Sequence, residues 1–189
     1  MPGPIAHVVL ATDMLDDWGE RSPQALADPA AIDLRAAFLL GCLGPDAGYM
    51  PGGARILSDA AHYVSTGRLV QVMDRCCQTD QQRAFTSGWL SHVEADAAFH
   101  PRVNEAAARA FGTEGAACLT YADDRVAHAW VESLLDVALS AQHRELFGPR
   151  APSGLPELTH WLSEVYGECY AVAFAPDDVL ASLAGVVRT

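Results

Sequence analysis

The chain has 189 residues, half of them hydrophobic, and a formal net charge of −12 at pH 7. This length allows one sizeable core, so a single domain over residues 1–189 is expected. Lysine is absent, and the acidic balance argues against a nucleic acid held on a broad basic surface. No run of eighteen apolar residues is present, so no membrane-spanning helix is expected.

Apolar residues recur at helical spacing along most of the chain, for example at Leu134, Leu135, Ala138 and Leu139. This pattern predicts an all-α, multihelical fold. In chain order, helices are predicted at residues 4–17, 30–42, 57–65, 67–77, 80–99, 102–111, 123–146, 155–171 and 177–186.

Prolines and glycines mark the predicted breaks between these helices. Pro101 separates 80–99 from 102–111, because the residue before a proline is pushed away from helical angles and a proline can open the next helix. Loops are predicted from Gly44 to Gly53 and from Gly148 to Gly154. The helices over 155–189 are expected to pack back on the same domain, because their apolar residues repeat at helical spacing.

The cysteines indicate a reducing compartment. They are odd in number and include no Cys-x-x-Cys pair: Cys42, Cys76, Cys77, Cys118 and Cys169. We expect free thiols that are mostly buried, although the adjacent Cys76 and Cys77 could form a metal or redox pair. The first fifteen residues lack a basic leader and a cleavage site, so a cytoplasmic location is predicted.

Two histidines stand four residues before a carboxylate: His92 before Asp96, and His128 before Glu132. On an α-helix, residues four apart lie on the same face, so each pair can direct a ring nitrogen and a carboxylate oxygen toward one metal ion. The alternative is an ordinary ion pair on a helix surface. The second pair lies in a largely apolar helix, where an uncompensated polar group would be costly.

Four other residues have a structural and a metal-binding interpretation. His100 precedes Pro101 at the predicted helix end, where it could bind a metal or cap the helix. Asp46 follows Gly44-Pro45 in a turn context, where an aspartate often bonds its own backbone. His62 and His7 have apolar neighbours, and such histidines are more often satisfied core residues than ligands.

Taken together, these segments resemble the zinc-dependent phospholipase C family, whose relatives include the single-strand-specific zinc nucleases and the catalytic domain of the phospholipase D that cleaves glycosylphosphatidylinositol anchors. The resemblance covers about residues 1–135. It is carried by residues 4–7 (PIAH), 40–46 (LGCLGPD), 58–62 (SDAAH), 88–96 (GWLSHVEAD), 99–101 (FHP) and 128–132 (HAWVE).

The resemblance implies two to three Zn²⁺ ions in a cleft of an all-helical domain. By analogy, Asp46, His62, His92 and Asp96 hold one zinc, and His100, His128 and Glu132 hold another. Asp96 would also bridge to a zinc held by His7 and by the amine and carbonyl of the chain terminus. Removal of Met1 would alter that terminal ligand.

The function that this resemblance implies is hydrolysis of a phosphodiester by a metal-activated water, with a small-molecule or lipid-like substrate. Asp46 could act as general base or orient the water. Four side chains could line the cleft or simply pack in the core and loops: Tyr49, Met50, Tyr63 and Phe99. The sequence does not indicate an oligomeric state.

Three other functions remain open. The same metal site could polarise a carbonyl group in a lyase, cyclase or dehydratase step of specialised metabolism. A nuclease is less favoured, because no basic groove is indicated. A metal-stabilised interaction protein without catalysis would have every metal position filled by protein ligands.

Overall fold

A computed structural model describes residues 3–21, 29–112, 116–143 and 149–188. These residues contain no strand, which confirms the all-α prediction. The helices are α1 (Pro4–Arg21), α2 (Pro29–Leu43), a 3₁₀ helix (Gly44–Tyr49), α3 (Arg55–Tyr63), α4 (Thr66–Cys76), α5 (Asp80–Phe111), α6 (Arg125–Gln142), α7 (Leu155–Tyr170) and α8 (Pro176–Arg188). None of these helices has the length and hydropathy needed to cross a bilayer.

One predicted break between helices is wrong, and one predicted loop is partly helical. Pro101 lies inside the continuous helix α5 instead of starting a new one, and His100 is therefore an interior helical residue. A proline removes one backbone hydrogen bond but does not have to end a helix, and burial of Ala95 and Val103 favours continuation on both sides. The turn predicted around Asp46 is a 3₁₀ helix with Pro45 in its first turn.

The chain divides into two compact units. The smaller unit comprises Met1–Leu10 and Val93–Leu146, and the larger unit comprises Ala11–His92 and Phe147–Thr189. The single domain over residues 1–189 stays a prediction. The helix predicted over 123–146 ends earlier, at Gln142, with His143 as its C-terminal cap, and residues 144–146 lie outside the described residues.

In the larger unit, α2 and α5 cross at two glycines that permit an unusually close approach. A Cβ atom on Gly41 would lie 2.0 Å from the carbonyl oxygen of Phe85, and one on Gly88 would lie 1.9 Å from that of Phe38. No real Cβ tolerates such a distance to a backbone atom. The crossing therefore requires glycine at both positions, and it brings the α5 turn that carries His92 against the C-terminal end of α2.

Aromatic residues fill the core of the larger unit. Trp89 is buried, with its ring 5.8 Å from Phe85 and 6.3 Å from Tyr166 between centroids. Helix α7 packs against α4 and α8, and α8 packs against the 3₁₀ helix and α2. These contacts place both C-terminal helices in the core of this unit.

The smaller unit is built from the start of α1, the second half of α5, and α6. Its core is made mainly of small side chains, which allow helices to approach closely: Ala6, Val8, Ala95, Val103, Ala107, Ala108 and Ala127. Asp124 precedes α6, and its carboxylate accepts hydrogen bonds from the amides of Val126 and Ala127, both at 3.0 Å. This capping fixes where α6 begins.

All five cysteines are free thiols, but the expectation that most are buried is wrong. Cys42 and Cys169 are buried, Cys76 and Cys77 are half-buried, and Cys118 is exposed. The Cys76 thiol lies 3.3 Å from Glu168 Oε2, and the Cys77 thiol lies 3.3 Å from Thr86 Oγ1. The two adjacent thiols thus have separate partners.

The helix crossing gives a direct test of stability. Gly88→Ala should destabilise the fold by roughly 1–3 kcal/mol, because the new methyl group meets a backbone carbonyl that cannot move alone. Gly67→Ala is the matched control, since a Cβ atom added at Gly67 would have no other atom within 4 Å, and it should be neutral or stabilising by about 0.5–1 kcal/mol. Equal midpoints in denaturant for the two variants would contradict the crossing.

Candidate metal centre

The predicted ligands come together in groups within each unit. In the larger unit, the ligand atoms of Asp46, His62 and His92 all lie within 4.8 Å of one another. In the smaller unit, the same holds for His100, His128 and Glu132, and His7 lies beside Asp96. Each of the eight predicted residues therefore has at least one other predicted ligand next to it.

The group in the larger unit is built from three secondary-structure elements. The 3₁₀ helix carries Asp46, α3 carries His62 and α5 carries His92. The amide of Gly48 donates to Ser58 Oγ at 2.8 Å, which ties the 3₁₀ helix to α3. The hydroxyls of Tyr166 and Tyr170 donate to the carbonyl oxygens of Leu57 and Ala60 at 3.1 and 2.9 Å, so α7 holds α3 in place.

The imidazoles of His62 and His92 approach with their Nε2 atoms 3.2 Å apart. Their Nδ1 atoms lie 2.8 Å from the carbonyl oxygens of Ser58 and Cys42, respectively. A carbonyl oxygen only accepts hydrogen bonds, so each Nδ1 carries a proton and donates it. In the neutral rings both Nε2 atoms then carry lone pairs in close contact. A cation between them, either a metal ion or an added proton, makes this arrangement favourable.

Asp46 adds a negative charge to the same place. Its Oδ1 is buried and lies 3.5 Å from His62 Nε2. That oxygen accepts no hydrogen bond from the described residues, and a buried carboxylate oxygen without a donor is costly unless a cation compensates it.

The chemistry and spacing of these three residues fit zinc. Zinc takes imidazole nitrogen together with carboxylate oxygen, whereas magnesium and calcium prefer oxygen ligands alone. Two atoms bound to one tetrahedral zinc at about 2.0–2.1 Å stand roughly 3.3 Å apart. The Nε2 atoms of His62 and His92 stand at 3.2 Å.

The pair on α6 has the geometry expected from its spacing. His128 Nε2 lies 2.9 Å from Glu132 Oε1, and both side chains are buried. The ring of His100 stands 5.6 Å from that of His128 between centroids. Burial lowers the pKa of His128 to about 4, and nearby positive charge, that of His100 included, adds to the effect. His128 is therefore neutral at pH 7, the state in which imidazole binds metals.

The third group surrounds Asp96. Asp96 Oδ1 lies 3.3 Å from His7 Nε2 and 3.9 Å from His100 Nε2. One carboxylate is thus adjacent to two imidazoles, as a bridging ligand would be. The amine and carbonyl of the chain terminus, implied as further ligands beside His7, lie outside the described residues.

The predicted cleft residues have different environments. Tyr49 is half-buried, and its ring stacks on His62 with centroids 5.8 Å apart. Its hydroxyl donates to Asp59 Oδ1 at 2.9 Å, and burial together with that carboxylate raises its pKa. Met50 is half-buried, whereas Tyr63 and Phe99 are exposed.

Asp136 was not recognised from the sequence. It accepts hydrogen bonds from the amides of Ile5 and Ala6 at the start of α1, immediately before His7. The spacing contained a signal, because Asp136 continues the four-residue interval that joins His128 to Glu132. The partners of Asp136 could not be predicted from local spacing, because Ile5 and Ala6 lie some 130 residues away along the chain.

Comparison with known proteins supports the resemblance seen in the sequence. Residues 6–175 match the family described as zinc-dependent phospholipase C, which extends the matched region well beyond residue 135. Neither the curated proteins nor the solved structures include a significant match to the chain.

A pair of histidine variants tests whether the buried pair on α6 binds metal. His128→Ala should lower zinc affinity at this position at least tenfold, because it removes a ring nitrogen beside Glu132. His160→Ala is the matched control: His160 also stands four residues before a glutamate, Glu164, at 3.4 Å, but both side chains are 68% exposed.

Native mass spectrometry at limiting zinc would count the ions bound to each variant. Equal zinc occupancy of the His128→Ala and His160→Ala variants would contradict metal binding by the α6 pair.

Proposed function

The chain belongs to the zinc-dependent phospholipase C family, and we propose that it hydrolyses a phosphodiester in a small or lipid-like substrate. The observation that carries the proposal is the close contact of His62 and His92, whose Nε2 atoms stand 3.2 Å apart with both Nδ1 atoms committed to backbone carbonyls. That arrangement favours a bound cation, and membership of a zinc-dependent family indicates that the cation is zinc.

The proposed metal ligands are those that lie together within each unit. Asp46, His62 and His92 would hold zinc in the larger unit. In the smaller unit, His7 with Asp96 and the trio of His100, His128 and Glu132 are the proposed ligands. Zinc bound at such sites supplies an activated water and stabilises negative charge on a phosphoryl oxygen.

Backbone contacts prepare the imidazoles for this role. Because the carbonyl oxygens of Ser58 and Cys42 fix the tautomers of His62 and His92, each neutral ring presents Nε2 to a metal without rotating. A donor pair that is already oriented binds with a lower cost of reorganisation, which is the usual effect of the groups that surround metal ligands.

Asp46 is the proposed catalytic carboxylate. It is buried, and its Oδ1 accepts no hydrogen bond from the described residues. With Oδ1 facing the proposed zinc, the second carboxylate oxygen would accept a proton from a reacting water or hold that water in line with the substrate phosphorus. The 3₁₀ helix that carries it is fixed by the Gly48–Ser58 hydrogen bond.

The net charge supports the proposed substrate class. A net charge of −12 disfavours a polyanion such as a nucleic acid. A phosphodiester with a single negative charge meets far less repulsion, so a small or lipid-like molecule is the better fit.

Asp46→Asn tests the proposal in the zinc-loaded full chain. We expect kcat on a chromogenic phosphodiester to fall by roughly 10²- to 10⁴-fold, because the amide cannot accept the proton. Asp33→Asn is the control: Asp33 is another aspartate of the larger unit, hydrogen-bonded to Gln81 and Ser153, and it lies in none of the three ligand groups. Its kcat should stay near that of the unchanged chain.

Zinc content is measured alongside activity, so that loss of metal is separated from loss of the proton acceptor. A fully zinc-loaded chain that turns over neither chromogenic phosphodiesters nor phosphatidylcholine would contradict the proposal. The lyase, cyclase or dehydratase hypothesis would then be tested next.

A further inference from the structure

We infer that Asp136 is a positioning residue of the metal centre: its carboxylate caps helix α1 and thereby fixes His7 beside Asp96. The inference rests on the proposed metal site and extends it to a residue that is not among the proposed ligands. It concerns only the smaller unit.

Among the described residues, helix α1 has no local side chain that caps it. It begins at Pro4, and the preceding residue, Gly3, has no side chain that could accept a hydrogen bond. The amides of the second and third helical residues are the ones that a capping side chain normally satisfies. Here those amides belong to Ile5 and Ala6, and they donate to Asp136 Oδ2 at 3.3 Å and Oδ1 at 3.0 Å. The Ala6 amide is shared with the carbonyl oxygen of Gly3, at 3.1 Å.

The carboxylate of Asp136 takes the place that a local capping side chain would occupy. A Cβ atom on Gly3 would lie 2.0, 2.5 and 2.9 Å from three atoms of the Asp136 carboxylate, and these are its nearest neighbours. Glycine at position 3 is therefore what admits Asp136. The negative charge also lies at the positive end of the helix dipole, which favours the contact.

The capped turn leads directly to a proposed metal ligand. His7 follows Ala6, is buried, and places its Nε2 3.3 Å from Asp96 Oδ1. On α6, Asp136 lies one turn after Glu132, which itself lies one turn after His128. One face of α6 thus supplies two proposed ligands and the anchor for a third.

Asp136→Ala is the primary test. Amide hydrogen exchange at Ile5 and Ala6 in the metal-free chain should become about fivefold faster, the effect of losing a typical helix cap. Zinc affinity at the His7 position should fall roughly 10- to 100-fold, as it does when groups that orient a metal ligand are removed. Gly3→Ala should cause the same two changes by displacing the carboxylate.

Two further variants separate positioning from a general loss of stability. In a His7→Ala background, Asp136→Ala should have no added effect on zinc binding, because the residue through which it acts is gone. Asp33→Ala, which removes hydrogen bonds to Gln81 and Ser153 in the larger unit, should leave zinc affinity at the His7 position unchanged.

A compensating variant gives the sharpest result. Once Asp136 is alanine, position 3 has room for a side chain, so Gly3→Ser combined with Asp136→Ala should restore a local cap. We expect this double variant to recover slow exchange at Ile5 and Ala6 and most of the lost zinc affinity. Recovery would show that Asp136 acts through the helix start.

Two outcomes would overturn the inference. One is unchanged exchange and zinc affinity in Asp136→Ala. The other is a double variant that restores exchange but not zinc binding, which would make Asp136 a ligand in its own right. Neither readout depends on turnover, so an inactive but zinc-loaded chain counts against the proposed function alone.

Discussion

The 3.2 Å contact between the Nε2 atoms of His62 and His92 links the packing of the larger unit to its proposed chemistry. His62 and His92 stand 3.2 Å apart at Nε2 because each Nδ1 donates to a backbone carbonyl. Holding both rings requires the glycine crossing of α2 and α5, which presents the carbonyl of Cys42, and the tyrosines of α7, which fix α3. The helix contacts that form the core of the larger unit therefore also position the proposed metal ligands.

In the smaller unit, hydrogen bonds at helix ends position the proposed ligands. Asp124 caps α6 locally, whereas Asp136 caps α1 from a distant part of the sequence. The core between these helices is made of small side chains, which provide little shape to fix a register. Carboxylates that satisfy helix termini help to hold His7 and His128 in place.

Local patterns predicted more of this protein than long-range ones. The all-α fold followed from apolar spacing, and the contact of His128 with Glu132 followed from their four-residue interval. The grouping of Asp46 with His62 and His92 joins three separate elements, so it came only from the family resemblance. The helix break predicted at Pro101 was wrong because tertiary packing outweighs one lost backbone hydrogen bond. The role of Asp136 was not predicted because its partners at the start of α1 are distant in the sequence.

The most direct measurement is the diffraction of zinc-loaded crystals at the zinc absorption edge. The account predicts an anomalous peak bonded to the Nε2 atoms of both His62 and His92 at about 2.0–2.1 Å, with Nδ1 of each ring still donating to its backbone carbonyl. Zinc-loaded crystals with no peak in bonding contact with both nitrogens, or with either ring rotated away from its carbonyl, would contradict it.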